Sequence, residues 1–413
     1  MPGGQLASVE VRESLKPKLR LFMSADIVGS TAFKQRSDLA AKTWFGMVST
    51  FYSSSQTAFS EKWELALKEH RNSGSSLSLS PEAPELWKTI GDEVLFTKEI
   101  THAHEALICM RVWLDVLRSV RDGLAKSNLL ELKASAWLAD FPIRNRAIFL
   151  KTNIPHLPPS PGTTSKAADA TNSAPISILD SGNPDWNNDQ LFDDFKRGNA
   201  SINQDFIGQS IDTGFRVSTQ SSVRKLALSV ELAHMLSMVC ALIEKNKLEI
   251  PMLADDKFQF YFEGRQALKG VMGGIPYPLI WLDAEPERVI HAAEDALMQR
   301  PKPDSSLIHE FTSAMIEEFP DRFCTMLEFH GGKPLGYEAY EKKVTAAIVE
   351  LEIEFKDLDR AMTADKRGGP RTEQGERQHT EDLTSLFQDP LAHVARTPPP
   401  TSSPEEVVQP GDE

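Results

Sequence analysis

Leu19 to Thr31 reads Leu-Arg-Leu-Phe-Met-Ser-Ala-Asp-Ile-Val-Gly-Ser-Thr. The apolar residues Leu19, Leu21, Phe22 and Met23 predict a buried strand that ends in an acidic residue, Asp26. Gly29, Ser30 and Thr31 predict a turn whose hydroxyls cap the helix that starts there. A carboxylate at a strand end, beside the free N–H groups of a helix start, is where a metal–phosphate pair can sit. The same arrangement also serves many α/β proteins merely as a helix cap.

A second stretch, Leu86 to Phe96, reads Leu-Trp-Lys-Thr-Ile-Gly-Asp-Glu-Val-Leu-Phe. Two β-prone runs flank Gly91-Asp92, and a two-residue turn with glycine first predicts a tight hairpin with Asp92 at its tip. If that hairpin lies beside the first strand, Asp26 and Asp92 converge into a hard-cation site of carboxylate and carbonyl oxygens. A Gly-Asp pair is otherwise just a turn. The third stretch, Asp205 to Val217, places Asp212 and Arg216 four residues apart, on one side of a helix. An arginine there can neutralise charge developing on phosphate, or make an ordinary surface ion pair.

Together these stretches resemble the class III nucleotidyl cyclases, with an Asp-Ile-x-Gly-Ser-Thr first strand, a Lys-Thr-Ile-Gly-Asp hairpin and a later arginine-bearing helix. A fourth stretch, Phe258 to Asp283, resembles the closing hairpin of that domain through Leu268-Lys269-Gly270-Val271 and Tyr277-Pro278-Leu279-Ile280-Trp281. The likeness covers about residues 15–285. It departs from the family at Ala136-Trp137-Leu138-Ala139-Asp140, where a Gly-x-His-Thr-Gly pattern is usual. The resemblance implies an α+β, ferredoxin-like domain over 17–284. It also implies a two-metal site held by Asp26, Asp92 and the Ile27 carbonyl, with Arg216 at the transition-state position. Asp212 stands where purine cyclases carry asparagine; orienting Arg216 or the ribose is the expected role. Lys88 and Asp205 map onto the base-reading positions, and Phe51 and Tyr52 are either core residues or the wall of the base pocket.

The wording Ile-Asp-x-Gly-Phe-Arg at 211–216, a long insert and the 268–283 ending are similar to the pyrimidine cyclases of the bacterial Pycsar antiphage systems. That likeness implies cyclic UMP or cyclic CMP as product, with UTP favoured over CTP. It further implies manganese (two ions per site, magnesium being the other option), a homodimer with shared sites, and a separate effector. Two other readings stay open: an adenylate or guanylate cyclase in ordinary signalling, and a catalytically silent ligand-binding module. Presence of both aspartates and Arg216 argues against the last.

The 413 residues give ample length for a core, and 40% hydrophobic with 25% charged content is ordinary for a globular chain. A formal net charge of −14 argues against nucleic acid or an anionic membrane as partner. The three cysteines lie far apart in no metal-ligand spacing, as expected of reduced thiols. No signal sequence or apolar run of roughly eighteen residues occurs, so a cytoplasmic location is expected. Residues 1–16 read as a flexible start, Ser30 to His70 as a long helical region weakened at Ser53–Ser55, and 153–201 as an inserted loop, disordered over Pro155–Ser173. Its acidic residues Asp189, Asp193 and Asp194 read as a solvated face, with a lid as the other reading. Residues 285–361 read as a helical appendage and candidate sensor with Val289, Ala292 and Ala296 inward, and 362–413 as a disordered tail.

Overall fold

The computed structural model describes residues 17–35, 38–124, 130–151, 184–253 and 258–323, with helical positions between 342 and 361. Along β1 (Lys18–Val28), Leu19, Leu21, Met23, Ala25 and Ile27 enter the main core, while Phe22 enters a second cluster. Period-two alternation therefore puts Ser24 and Asp26 on the Phe22 face. Burial is unbroken from Leu21 to Ala25, which is why this stretch reads as a continuous apolar run. Gly29 follows at φ 88°, a left-handed conformation that glycine adopts without strain. It occupies the cap position of α1 (Ser30–Lys34), and its carbonyl accepts the Phe33 N–H at 3.0 Å. The expected hydroxyl cap is absent, because Ser30 and Thr31 already stand inside the helix.

The next helix, α2 (Asp38–Asn72), buries Phe51, Phe59, Trp63 and Ala66. Its serines do not interrupt it. Ser53 donates back to the Ser49 carbonyl at 3.0 Å and Ser54 to the Phe51 carbonyl at 3.3 Å, so their hydroxyls are satisfied within the helix. Strands β2 (Glu85–Ile90) and β3 (Glu93–Ile100) close the expected hairpin through Gly91, at φ 65°, and Asp92. Helix α3 (Ala103–Leu124) then leads to β4 (Glu131–Phe141) on the far side of β1. The order β2-β3-β1-β4, antiparallel at each pairing and bridged by α2 and α3, is the split βαββαβ arrangement of ferredoxin-like folds. The expected fold class is thus met.

Strands β5 (Asn145–Lys151) and β6 (Ile202–Gly208) pair as a separate ribbon. Part of the expected loop 153–201 is instead helix α4 (Pro184–Lys196), held to the ribbon by Phe149 ring contacts with Phe192 at 5.4 Å and Phe195 at 5.2 Å. Three aromatic rings packing together outweigh the polar composition that made this stretch read as loop. The segment Pro155–Ser173 lies outside the described residues. Helix α5 (Gln209–Ser218) follows, then β7 (Lys225–Leu228), parallel to β4. Helix α6 (Val230–Glu244) starts at Ser229, whose hydroxyl accepts the Leu232 N–H at 3.3 Å. The hairpin of β8 (Phe260–Gln266) and β9 (Tyr277–Asp283) completes a seven-stranded sheet ordered β2-β3-β1-β4-β7-β9-β8.

The helices beyond residue 284 differ from expectation. In α7 (Val289–Leu297), His291 and Asp295 face inward while Val289 is 84% exposed and Ala292 and Ala296 are exposed. The cause is Arg224, whose buried guanidinium meets Asp283 at 2.8 Å, Glu294 at 2.8 Å and Asp295 at 2.7 Å. Tyr261 also donates to Asp295 at 2.8 Å, and His291 lies 3.1 Å from Asp283. A buried cation needs its carboxylates more than α7 needs to hide its small apolar residues. Helix α8 (Ser305–Glu318) is no appendage: Ile308 joins the main core, and Met315 and Ile316 join a third cluster with Val217 and Tyr277. The chain divides into compact units Met1–Ile353 and Glu354–Glu413, and in the second Arg360 pairs with Asp357 at 3.2 Å. Residues 1–16 and 362–413 lie outside the described residues. Among those described, no helix is long and apolar enough to cross a membrane.

Replacing Arg224 by alanine leaves buried carboxylates without their cation. We expect it to cost about 3–5 kcal/mol of stability, read as a lowered urea midpoint. A midpoint shift worth under about 1 kcal/mol would show that α7 is held by something else.

Candidate active site

The site begins where β1 runs out. Asp26 is opposite Glu93 of β3 on one side and Lys133 of β4 on the other, so one row of the sheet reads Glu93, Asp26, Lys133. The Lys133 ammonium lies 3.0 Å from the Asp26 carboxylate. One residue on, the Ile27 N–H donates to the Asp92 carbonyl at 3.4 Å, which sets the hairpin tip beside the strand end. The structure therefore brings Asp26, Ile27 and Asp92 together. Tyr52 of α2 pins the tip by donating its hydroxyl to the Gly91 carbonyl. Burial, with Asp92 adding to it, raises the Tyr52 phenol pKa.

Glu93 makes a third carboxylate of this corner. It accepts a hydrogen bond from the Ser24 hydroxyl. Burial above all, then the charges of Asp26 and Asp92, push its pKa up against the opposing pull of Ser24 and Lys133. The donor set is one of hard oxygens, the chemistry that suits magnesium or manganese. Among the described residues, no three of His, Cys, Asp and Glu stand in a ligating arrangement.

A second cluster sits on the same face. Lys88 of β2 is opposite Leu95, a member of the Phe22 cluster, and its ammonium lies 2.8 Å from Asp205 of β6. The Trp87 indole N–H donates to the same carboxylate at 3.0 Å. Trp87 packs edge-on against Phe22 at 5.1 Å and Phe206 at 5.3 Å, and the Lys88 ammonium stands over its ring at 4.1 Å. The Phe215 ring of α5 lies 5.9 Å from that ammonium. Lys88 and Asp205 remain about one-third exposed, so the pair is open to a ligand.

Helix α5 is clamped onto this face at three points. Asn145 accepts the first free N–H groups of the helix, from Ser210 at 2.9 Å and Ile211 at 3.3 Å. Gly208, at φ 138°, lets the chain pass where a Cβ would sit 2.4 Å from the Arg144 carbonyl. Gly214 lies flat on Trp137, whose ring a Cβ would approach to 2.3 Å. Asp212 and Arg216 emerge exposed from the outer side of this helix. Among the described residues, no hydrogen bond or ion pair joins them to each other or to Asp26 and Asp92.

One expectation is corrected. Phe51 is 2% exposed and belongs to the main core, so it walls no pocket; adjacent helical residues point about 100° apart, which leaves Tyr52 at the edge of that core. Tyr52 is spent on the hairpin tip. Sequence reading passed over Glu93, Lys133, Trp87, Phe215 and Asn145. Glu93 and Trp87 adjoin residues already singled out, whereas Lys133 and Asn145 come forward only through strand register and helix placement.

No family model and no curated protein matches the sequence. Solved structures do resemble it. One is the adenylyl cyclase CyaB from P. aeruginosa, at 12% identity over 65% of this chain and 94% of that one, with a TM-score of 0.36. Another is the guanylate cyclase domain of RhGC from Catenaria anguillulae in complex with GTP, at 12% identity, 65% and 97% coverage and a TM-score of 0.36. A third is the guanylyl cyclase Cya2, at 10% identity, 66% and 96% coverage and a TM-score of 0.33.

The clamp on α5 can be tested at Gly214. Alanine would gain about 1 kcal/mol of helix propensity yet drive a methyl group into the buried Trp137 ring. We expect the clash to win, with a net loss of about 1–2 kcal/mol in urea unfolding. A stabilised Gly214→Ala protein would show that α5 does not rest on Trp137.

Proposed function

We propose that this chain is a nucleotidyl cyclase, a phosphorus–oxygen lyase that converts a nucleoside triphosphate to its 3′,5′-cyclic monophosphate and pyrophosphate. The observation that carries the reading is the meeting of Asp26, the Ile27 backbone and Asp92 at the end of β1, with Asp26 on the sheet face that also holds the Lys88–Asp205 pair. Asp26, Asp92 and the Ile27 carbonyl would hold two divalent ions, manganese by preference and magnesium as the other option. Bound there, such ions lower the pKa of a ribose hydroxyl and neutralise leaving phosphates. Asp26 is already turned to a cation, the Lys133 ammonium, which fits an oxygen site waiting for positive charge. Lys88 and Asp205 bind the base through a donor and an acceptor. Arg216, exposed and planar, meets the charge that spreads over the reacting phosphate, and Asp212 one turn earlier orients it or the ribose.

Among the described residues, no hydrogen bond or ion pair joins Arg216 to Asp26 or Asp92, and that supports a site completed by a second copy. In a two-fold dimer, one protomer supplies the carboxylates and its partner the arginine and base-reading pair, twice over. The sequence likeness at 211–216 and 268–283 supports a pyrimidine triphosphate as substrate, UTP before CTP. It likewise supports a role in antiphage defence through a separate effector that responds to the cyclic product. With Phe51 in the core, narrowing of the base site falls to Trp87 and Phe215.

Purified protein incubated with manganese and each of the four triphosphates should release cyclic UMP fastest, identified by mass spectrometry. Faster conversion of ATP or GTP would move the chain to ordinary purine cyclases, and no cyclic product from any triphosphate would overturn the reading. Asp92→Ala should abolish turnover with an unchanged circular dichroism spectrum, and Arg216→Ala should cost about 10²–10³-fold in kcat. Asp26→Ala and Arg216→Ala chains, each inactive alone, should regain roughly a quarter of wild-type sites once mixed and exchanged, since half the dimers are then mixed and each has one intact site. No rescue after proven exchange would place the whole site in one chain.

A further inference from the structure

We propose that Trp87 is a positioning residue that makes Asp205 offer a nucleobase a single acceptor, its Oδ2 atom, beside the Lys88 ammonium. This rests on the nucleotide reading of the site. Three donors converge on the other oxygen, Oδ1: the Trp87 indole N–H at 3.0 Å, the Lys88 ammonium at 2.8 Å and the Phe206 amide at 2.9 Å. Oδ2 has no hydrogen-bond partner among the described residues. The two oxygens of a free carboxylate exchange by rotation, so which one faces a ligand depends on how rigid the donors are. The Phe206 amide belongs to the β5–β6 ribbon. The Trp87 indole is wedged among the Phe22, Phe206 and Phe215 rings, at 5.1, 5.3 and 6.2 Å. Lys88, by contrast, is a flexible point charge. The two rigid N–H groups therefore hold Oδ1 inward, and the Lys88 ammonium keeps hydrogens to donate outward.

The cluster so arranged presents an acceptor next to a donor. Uracil answers it with N3–H beside a carbonyl oxygen, and cytosine with its amino group beside N3. The consequence of a fixed Oδ1 shows when Asp205 becomes asparagine. Trp87 and Phe206 can only donate, so they must hold the amide oxygen, and the amide NH2 turns outward. The cluster then presents two donors. Cytosine has two adjacent acceptors, N3 and O2; uracil has none on its pairing edge, because N3–H separates its carbonyls. Trp87 thereby shares with the Phe206 amide in fixing the sign of the change that Asp205→Asn makes.

The test is equilibrium binding of uncleavable α,β-methylene analogues of UTP and CTP to the full chain with manganese, by calorimetry. In Asp205→Asn the UTP-to-CTP affinity ratio should fall at least about tenfold, because a mismatched edge leaves buried groups unpaired. In the double variant Trp87→Phe/Asp205→Asn, the ring is kept and the indole N–H is gone. The amide oxygen is then held by the Phe206 N–H and the Lys88 ammonium without the indole, and part of that fall should be undone. Thermal melting of each variant identifies loss of fold, which would weaken both analogues together and leave the ratio unmoved. An equal ratio in the single and double variants would overturn the role given to Trp87, as would a ratio unchanged by Asp205→Asn. Product formation by the wild type is scored separately. Binding with the expected ratio change but without cyclic product refutes the cyclase reading and upholds Trp87; turnover with an unmoved ratio does the reverse.

Discussion

The candidate site depends on how β1 is held between β3 and β4. Antiparallel register with both neighbours places Asp26 between Glu93 and Lys133 and brings Ile27 to the Asp92 carbonyl. A slip of one residue on either side would turn every alternate side chain to the wrong face. Asp26 would then point into the main core, where an unpaired carboxylate cannot be sustained. Burial on both faces from Leu21 to Ala25 is what makes such a slip costly, so the hydrophobic core fixes the position of the acidic residues.

That division of labour runs through the whole sheet. One face is covered by α2, α3 and α6 and forms the main core. The other carries an apolar layer of Phe22, Leu95, Trp137 and Phe141, onto which α5 and, through Phe206, the β5–β6 ribbon are set. Polar residues stand at the margins of that layer: Asp26 and Glu93 beyond Phe22, Lys88 and Asp205 beside Trp87. A rigid apolar floor lets exposed charges keep a fixed geometry without being buried. Helix α5 is fastened by contacts that tolerate little change, from Asn145 at its start to Gly214 at its middle. Arg216 inherits its place from them.

At the opposite edge, the Arg224 network shows electrostatics overruling hydrophobic pattern. Val289, Ala292 and Ala296 define an apolar face of α7 by spacing alone, yet that face is turned outward. A partner-bearing guanidinium buried under Tyr261 and Trp281 binds Asp283 and Asp295, and His291 and Asp295 are drawn inward with it. Apolar burial of a few small residues is worth less than leaving such a charge unpaired. Residue spacing in α7 carries no trace of this, because Arg224 lies about seventy positions earlier in the chain.

By itself, the sequence determined the strand ending at Asp26, the Gly91-Asp92 hairpin and the closing hairpin that ends at Asp283. All of these rest on local signals: alternation, a glycine with positive φ, and four short motifs in order. Tertiary structure alone decided that Ser30 and Thr31 cap nothing, that α4 is a packed helix, and that Phe51 is core while Tyr52 anchors a turn. It also decided that Glu93, Lys133 and Trp87 join the polar groups around Asp26 and Asp205. The physical reason is range. Turns and periodicity are settled within a few residues, whereas the direction of a side chain and the partner of a charge depend on strands and helices that arrive from far along the chain.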